Sequence, residues 1–314
     1  MAGRQGRAVP GPAEGHLNML VIHALGLGLE QTTHYLFHTG PTFEEFERWI
    51  VATASAPAPV LVARINAAVA GPPPLPETQA QLAAIAAAPP VLSAADLAHW
   101  EEHDYVILPA AVSPAACAAA AQAIWEHQGM RPDAPRTWYP ANTHGIMVQL
   151  FQHPALAANR QSPRIHRAFA QLWGTTDLWM STDRVGFNPP ERPDWPFPGP
   201  HLHWDVSLVP PMPFGTQGIL YLTDTPAEQG AFTCVPGFRR RLAGWLDSLP
   251  PEADPRQQDL HALGSQPIAG RAGDLVIWHH ALPHGSRPNR GAQPRMVHYL
   301  NMYPAQVEEP AGWR

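Results

Sequence analysis

The sequence predicts a mainly β fold with helices, a β-sandwich or jelly roll buttressed by helices and preceded by a helical N-terminal extension. Three observations point there. The chain has 314 residues, 45% of them apolar, enough for one sizeable core with or without an appendage. Helical patterns fill its first part, whereas after about residue 175 short apolar runs follow one another, each bounded by Gly, Pro, Asn or Asp. No unit of about 20–50 residues repeats, which argues against a solenoid.

In chain order, residues 1–90 form the extension. "GHLNMLVIHALGLGLEQTTHYLFHT" is apolar and long enough for a helix. "TFEEFERWIVATA" is a second: Thr42 caps it, Glu45 completes a capping box, and Phe43, Phe46, Ile50 and Val51 make one apolar stripe. A third spans Pro76 to Ala88, set off by "GPPPLP" and "PP". The second domain is 91–314. It opens with a capped helix from Ser93, a strand "YVILP" and a helix starting at Ser113 in "SPAACAAAAQAIWEHQ". Strands are then expected at "LWMSTDRVGFNP", "HLHWDVSLV", "QGILYLTD", "GAFTCVPG", "GDLVIWHHAL" and "PRMVHYLNMYP". The 38 prolines fall mainly between such segments, as stiff turns between many short elements require.

A net charge of −6 and a pI of about 6.3 offer nothing to nucleic acid or an anionic membrane. No run of about 18 apolar residues suggests a membrane span. "MAGRQGRAVPGPAEGH" lacks the apolar region of a secretory signal, so a cytoplasmic protein is expected. Two cysteines, Cys117 and Cys234, make neither a disulfide framework nor a thiolate zinc cluster.

The chemistry concentrates in "GPHLHWDVSLVPP". His201, His203 and Asp205 occupy alternate positions, so in a strand all three share one face. A His201–His203 metal pair of the cupin type calls for a Glu a few residues later, and "WDVSLVPPMPFG" has none; a His-Glu-x-x-His helix is also absent. A further histidine, His284, follows an apolar strand in "LPHGSRPNRGAQPR". About five strands lie between it and His203, which can return the chain to the same barrel mouth. His203, Asp205 and His284 then form a 2-His-1-carboxylate facial triad, leaving open positions on Fe(II) for a bidentate 2-oxo acid and O2. Arg295, at the start of the next strand, can pair with the far carboxylate of that acid. His201 is a pocket residue.

Four blocks, in this order, resemble the phytanoyl-CoA dioxygenase-like branch of the Fe(II)- and 2-oxoglutarate-dependent oxygenases: "LSAADLAHWEEHDYVILPAAVSP", "HLHWD", "LYLTDTPAEQGAFTCVPGFRR" and "AGDLVIWHHALPHGSRPNRGAQPR". The resemblance covers about residues 91–305. It implies a cupin-like double-stranded β-helix, iron on His203, Asp205 and His284, and the 2-oxoglutarate C5 carboxylate on Arg295, with Ser286 and Thr182 as further cosubstrate contacts. It also implies hydroxylation of an unactivated C–H in a small molecule (an amino acid, acyl or natural-product intermediate), with release of succinate and CO2. Halogenating relatives carry Ala or Gly where this chain has Asp205, so hydroxylation or another oxidation is favoured. Phe238 in "PGFRR" departs from the family's small hydroxyl residue. The same chemistry ending in desaturation or cyclisation, or a catalytically silent binding module, are the alternatives. Substrate contacts are expected from Arg184, Trp204, Asn142, His144, Gln149 and His201, with Trp138 and Tyr139 beside them. The N-terminal helices are expected to cover substrate, bind a partner or form a homodimer.

Overall fold

The computed structural model describes residues 12–71, 73–139, 145–209, 212–308 and 312. The first apolar stretch divides into two helices, α1 (Pro12–Ala24) and α2 (Leu29–Thr39), where one was expected. Glycine is the reason. Gly26 takes φ 77°, and a Cβ on Gly28 would lie 2.2 Å from the Phe151 ring, a close approach that only glycine permits. In α3 (Phe43–Ala54) the Thr42 hydroxyl accepts from the Glu45 amide, and the Glu45 carboxylate accepts from the Thr42 amide at 2.7 Å. The apolar stripe of α3 does not become core: none of its residues is buried, and Phe43 is 65% exposed. Helix α4 (Pro59–Ala70) was not anticipated, because it starts on Pro59 without any side-chain cap; α5 (Pro76–Ala87) follows.

Then come α6 (Ala94–His103), β1 (Tyr105–Leu108), α7 (Pro114–His127), β2 (Met147–Val148), α8 (Pro154–Arg160) and α9 (Pro163–Trp173). The strand-rich remainder holds β3 (Trp179–Met180), β4 (Val185–Asn188), β5 (Thr216–Tyr221), β6 (Thr233–Cys234) and α10 (Arg239–Ser248). It ends with β7 (Gln266–Pro267), β8 (Leu275–His279), β9 (His284–Gly285), β10 (Arg295–Tyr299) and β11 (Met302–Tyr303). No helix among the described residues is long and apolar enough to cross a membrane.

The described residues cluster into two compact units that interleave along the chain: 12–91 with 151–184 and 300–308, and 92–150 with 185–299. In the first, β11 pairs with β3, and Leu20, Trp179 and Tyr303 make the core with Leu61, Ile65 and Trp173. Arg64 lies over the Trp179 ring at 4.1 Å and bonds Asp177 at 2.8 Å.

The second unit is the double-stranded β-helix. Its larger antiparallel sheet runs β1-β8-β5-β10-β4-β2 and its smaller one β7-β6-β9. Both sheets feed one apolar cluster that includes Tyr221, Cys234, Trp278 and Val297, closed by Leu242 and Leu246 of α10. Every residue of β8 is buried, which is why "LVIWH" reads as an unbroken apolar run. Four strands, not about five, separate His203 from His284, because α10 and two short 3-10 turns occupy the remaining length.

Candidate metal centre

The segment 201–209 is not a strand. A single antiparallel bridge joins it to β9: the His203 and His284 amides each donate to the other's carbonyl, at 2.9 and 3.0 Å. Beyond that pair the backbone is satisfied from elsewhere. The Arg256 guanidinium donates to the carbonyls of Trp204 (2.7 Å) and Val206 (2.6 Å), replacing the ladder with side-chain bonds. The bridge is tight, for a Cβ on Gly285 would sit 2.4 Å from the His201 carbonyl oxygen.

This bridge brings three donors together. Ligand atoms of His203, Asp205 and His284 all lie within 4.8 Å of one another. His203 Nε2 is 3.4 Å from Asp205 Oδ1, and His284 Nε2 is 3.2 Å from Asp205 Oδ2. Each ring is oriented from behind: Nδ1 of His203 donates to the His201 carbonyl (2.7 Å) and Nδ1 of His284 to the Leu282 carbonyl (3.0 Å). With Nδ1 committed as donor, Nε2 is the atom each ring turns to the carboxylate. Here it carries the proton of the hydrogen bond to Asp205, and once freed of that proton it is the atom that would ligate a metal. Burial opposes charge on His203 and Asp205, but hydrogen bonding outweighs it. Asp205 and the His201 carbonyl raise His203 above its ordinary value, and the two imidazoles hold Asp205 far below the carboxylate range. Asp205 is therefore an anion, and two imidazoles with a carboxylate are the donor set for a divalent first-row metal.

Two supporting residues escaped the sequence reading. Gln217 of β5 donates from Nε2 to Asp205 Oδ2 at 2.6 Å, and its Oε1 accepts from Trp278 Nε1 of β8 at 3.1 Å. The β5–β8 register sets Gln217 opposite Trp278, so the carboxylate is aimed by the large sheet. The available signal was a lone amide opening the apolar run "QGILYL". Trp278 also packs on His284 with ring centroids 5.0 Å apart.

Arg295 is, among the described residues, the one arginine with no exposed surface, at 0%. Its Nη1 donates to Ser286 Oγ at 3.0 Å, while Nε and Nη2 have no partner among the described residues. A buried guanidinium left with unmet N–H groups is costly, and the natural complement is an anionic ligand with carboxylate geometry. Ser286 keeps its own O–H free to donate, and its amide donates to the Pro200 carbonyl at 3.0 Å.

The other expected contacts fall differently. Thr182 belongs to the first unit, where its hydroxyl donates to the His23 carbonyl (2.9 Å) and its amide to His23 Nδ1 (3.1 Å), rather than standing as a cosubstrate donor. Arg184, in the same unit, pairs with Glu30 and Asp183, so its charge is met by structure and not held for substrate. Trp204 is core, its indole N–H bound to the Ala281 carbonyl (2.8 Å) and its ring packed on Phe238 and Trp245. That packing also accounts for Phe238, which fills apolar space where a small hydroxyl was expected. Trp138 is buried against Trp125 and donates to the Arg131 carbonyl. Tyr139 donates to the Pro190 carbonyl beneath the Arg192 guanidinium. Gln149 is exposed after β2, and Asn142 and His144 lie outside the described residues. The His201 ring is exposed, edge-on to Phe197, and its carbonyl is what steers His203.

Residues 100–297 match the family described as phytanoyl-CoA dioxygenase (PhyH). A Dictyostelium discoideum protein assigned by name to the phytanoyl-CoA dioxygenases is 23% identical over 188 residues, covering 48% of this chain. The match takes in 54% of that protein, so the chain spans about half the length of the relative. Among solved structures, the non-heme alpha-ketoglutarate-dependent carbocyclase SnoK from nogalamycin biosynthesis aligns with a TM-score of 0.51 at 22% identity, over 70% of this chain and 88% of its own. EvdO2 from Micromonospora carbonacea var. aurantiaca aligns with a TM-score of 0.50 at 17% identity, over 71% and 94%. Both share the fold. With nearly two-thirds of its length matched in one continuous stretch, the chain belongs to the phytanoyl-CoA dioxygenase family.

Proposed function

We propose that the protein is an Fe(II)- and 2-oxoglutarate-dependent dioxygenase that hydroxylates an unactivated C–H of a small molecule. The observation that carries this is the convergence of two imidazole Nε2 atoms on one carboxylate, together with a fully buried arginine that is bonded to Ser286, two residues beyond His284, and has unmet N–H groups among the described residues. His203, Asp205 and His284 would hold the iron. Arg295 and Ser286 would hold the far carboxylate of 2-oxoglutarate. Bound Fe(II), 2-oxoglutarate and O2 together would supply the oxidising power, with succinate and CO2 as coproducts. The chain's own contribution is orientation: two backbone carbonyls fix the imidazole tautomers, Gln217 fixes the carboxylate, and the buried Arg295 fixes the cosubstrate's far end.

Anaerobic titration with Fe(II) and 2-oxoglutarate tests the reading. The iron-to-2-oxo-acid charge-transfer band appears in the unaltered protein and is lost in His203→Ala. Its absence from the unaltered protein favours a silent binding module instead. A succinate-release screen with mass analysis then separates hydroxylation, a gain of one oxygen, from desaturation or cyclisation, a loss of two hydrogens. A cytoplasmic setting and a partner-binding or dimerising role for residues 1–90 complete the proposal. The second of these is supported by exposed Phe37, Phe43 and Val51 and is read by sedimentation of the full chain.

A further inference from the structure

A second group of cations gathers just beyond β9, where the chain reads Ser286-Arg287-Pro288-Asn289-Arg290. The loop is built, not loose. Buried Asn289 donates to the carbonyls of Asn188 and Gln293, both at 2.8 Å, and accepts from the Gly291 amide at 2.9 Å. The Arg290 amide donates to the Glu228 carbonyl at 2.8 Å, and Asn188 Nδ2 donates to the Arg287 carbonyl at 3.1 Å.

Arg287 and Arg290 line a cavity of about 520 Å³ together with His201, His261, Ser286 and one acid, the exposed Glu228. Arg287 donates from Nη2 to the Ser265 hydroxyl at 3.2 Å, and its Nε is buried without a partner among the described residues. Among the described residues neither arginine is ion-paired with a carboxylate, whereas Arg64, Arg131, Arg184, Arg192 and Arg239 all are. The cations also feel one another. Burial and then Arg290 make Arg287 give up its proton more readily, and burial and then Arg287 do the same to His261. In a chain of net charge −6 this sets two arginines against the single carboxylate of Glu228, a local excess of positive charge that focuses the field on an anion. Two of its walls are shared with the metal centre: Ser286 accepts from Arg295, and the His201 carbonyl accepts from His203.

We propose that this cavity binds an anionic group of the substrate, a carboxylate or a phosphate, through Arg287 and Arg290. The assignment of that anion to the substrate rests on the iron-oxygenase reading of the neighbouring centre. Arg287 and Arg290 are distinct from the cosubstrate anchor, since Arg295 is fully buried and does not line the cavity.

The test uses the full chain with Fe(II) and excess 2-oxoglutarate under anaerobic conditions. Inorganic phosphate and, separately, acetate are titrated at an ionic strength held constant with chloride, while melting temperature and the charge-transfer band are read together. Phosphate or acetate raises the melting temperature beyond chloride. Affinity for that anion falls about tenfold in Arg290→Gln and further in the Arg287→Gln/Arg290→Gln double variant, with the band unchanged. Arg290 is exposed, so the single variant decides the matter even if the double variant folds poorly. A response to phosphate alone assigns a phosphorylated substrate, to acetate alone a carboxylated one, and to both the shared chemistry. No shift beyond chloride, or an equal shift in Arg290→Gln, overturns the proposal. Displacement of 2-oxoglutarate by the added anion overturns it too, because the anion then sits on Arg295. A missing band in the unaltered protein sinks the iron reading instead, and the melting shifts still decide whether the cavity holds anions.

Discussion

Arg295 and Arg184 sit at the ends of comparable short apolar segments, and each could be an anion-binding group by residue type alone. Their surroundings part them. Arg184 lies in a segment tied down by its neighbours: Thr182 is bonded to His23, the Asp183 carbonyl accepts from Arg160 at 2.7 Å, and the Arg184 guanidinium meets Glu30. Arg295 has, among the described residues, a single hydrogen-bond partner for its side chain, the neutral hydroxyl of Ser286, and is buried completely. An arginine whose charge is met by a carboxylate of the fold has little left for a ligand. One buried with N–H groups unmet is held in readiness for an anion. Arg287 stands between them, partly buried, bonded to one hydroxyl and facing a cavity.

The sharpest way to break the contrast is Arg295→Met. It should abolish the charge-transfer band at ordinary 2-oxoglutarate concentrations, with the affinity loss worth about 2–5 kcal/mol. It should also leave the ligand-free protein at least as stable, since an unpaired buried charge is removed and its volume retained. A variant that binds 2-oxoglutarate normally would end the case for Arg295 as anchor. Next comes Gln217→Leu, which frees the Asp205 carboxylate from its support. Iron affinity should fall about 10–100-fold, measured by anaerobic competition with a chelator, with little change in fold by circular dichroism.

A smaller effect tests what holds the Arg184 segment. Burial, ahead of the other influences on it, depresses His23 from 6.5 to about 4, and the Thr182 amide donates to its unprotonated Nδ1. The folded state thus resists a proton that the unfolded chain accepts below about pH 6.5. Between pH 6.5 and 4 the unfolded state binds more protons, so stability falls as pH falls, by about 2–3 kcal/mol over the window. His23→Asn should flatten that acid limb in urea titrations; an unchanged slope would show that His23 is not what the segment leans on. Smallest is Arg184→Ala. A partly exposed ion pair is worth about 0–1 kcal/mol, so melting shifts slightly while 2-oxoglutarate affinity and substrate KM stay as they were. A large rise in substrate KM would restore Arg184 to the pocket.

The residues with unusual chemistry at short spacing were legible. His203 and Asp205 stand two apart, His284 and Arg295 flank one turn-rich loop, and the capping boxes at Thr42 and Ser93 are complete within four residues. What depended on distant partners was not. The strand expected over 201–209 fails because Arg256, some fifty residues later, takes its carbonyls. Gln217 reads as an ordinary strand residue until the register sets it between Trp278 and Asp205. Trp204 stands between His203 and Asp205, so alternation alone turns it away from the metal ligands, and its ring lies in the core.

By itself the sequence determined the class of fold, the family and the kinds of ligand atom available, because apolar period, turn residues and donor chemistry are local properties of the chain. The tertiary structure alone decided which polar groups were satisfied by the fold and which were left for a ligand. Hydrogen bonds and ion pairs are matters of a few ångströms between residues far apart in sequence, and only the folded backbone brings Glu30 to Arg184, Gln217 to Asp205, and no carboxylate of the described residues to Arg295.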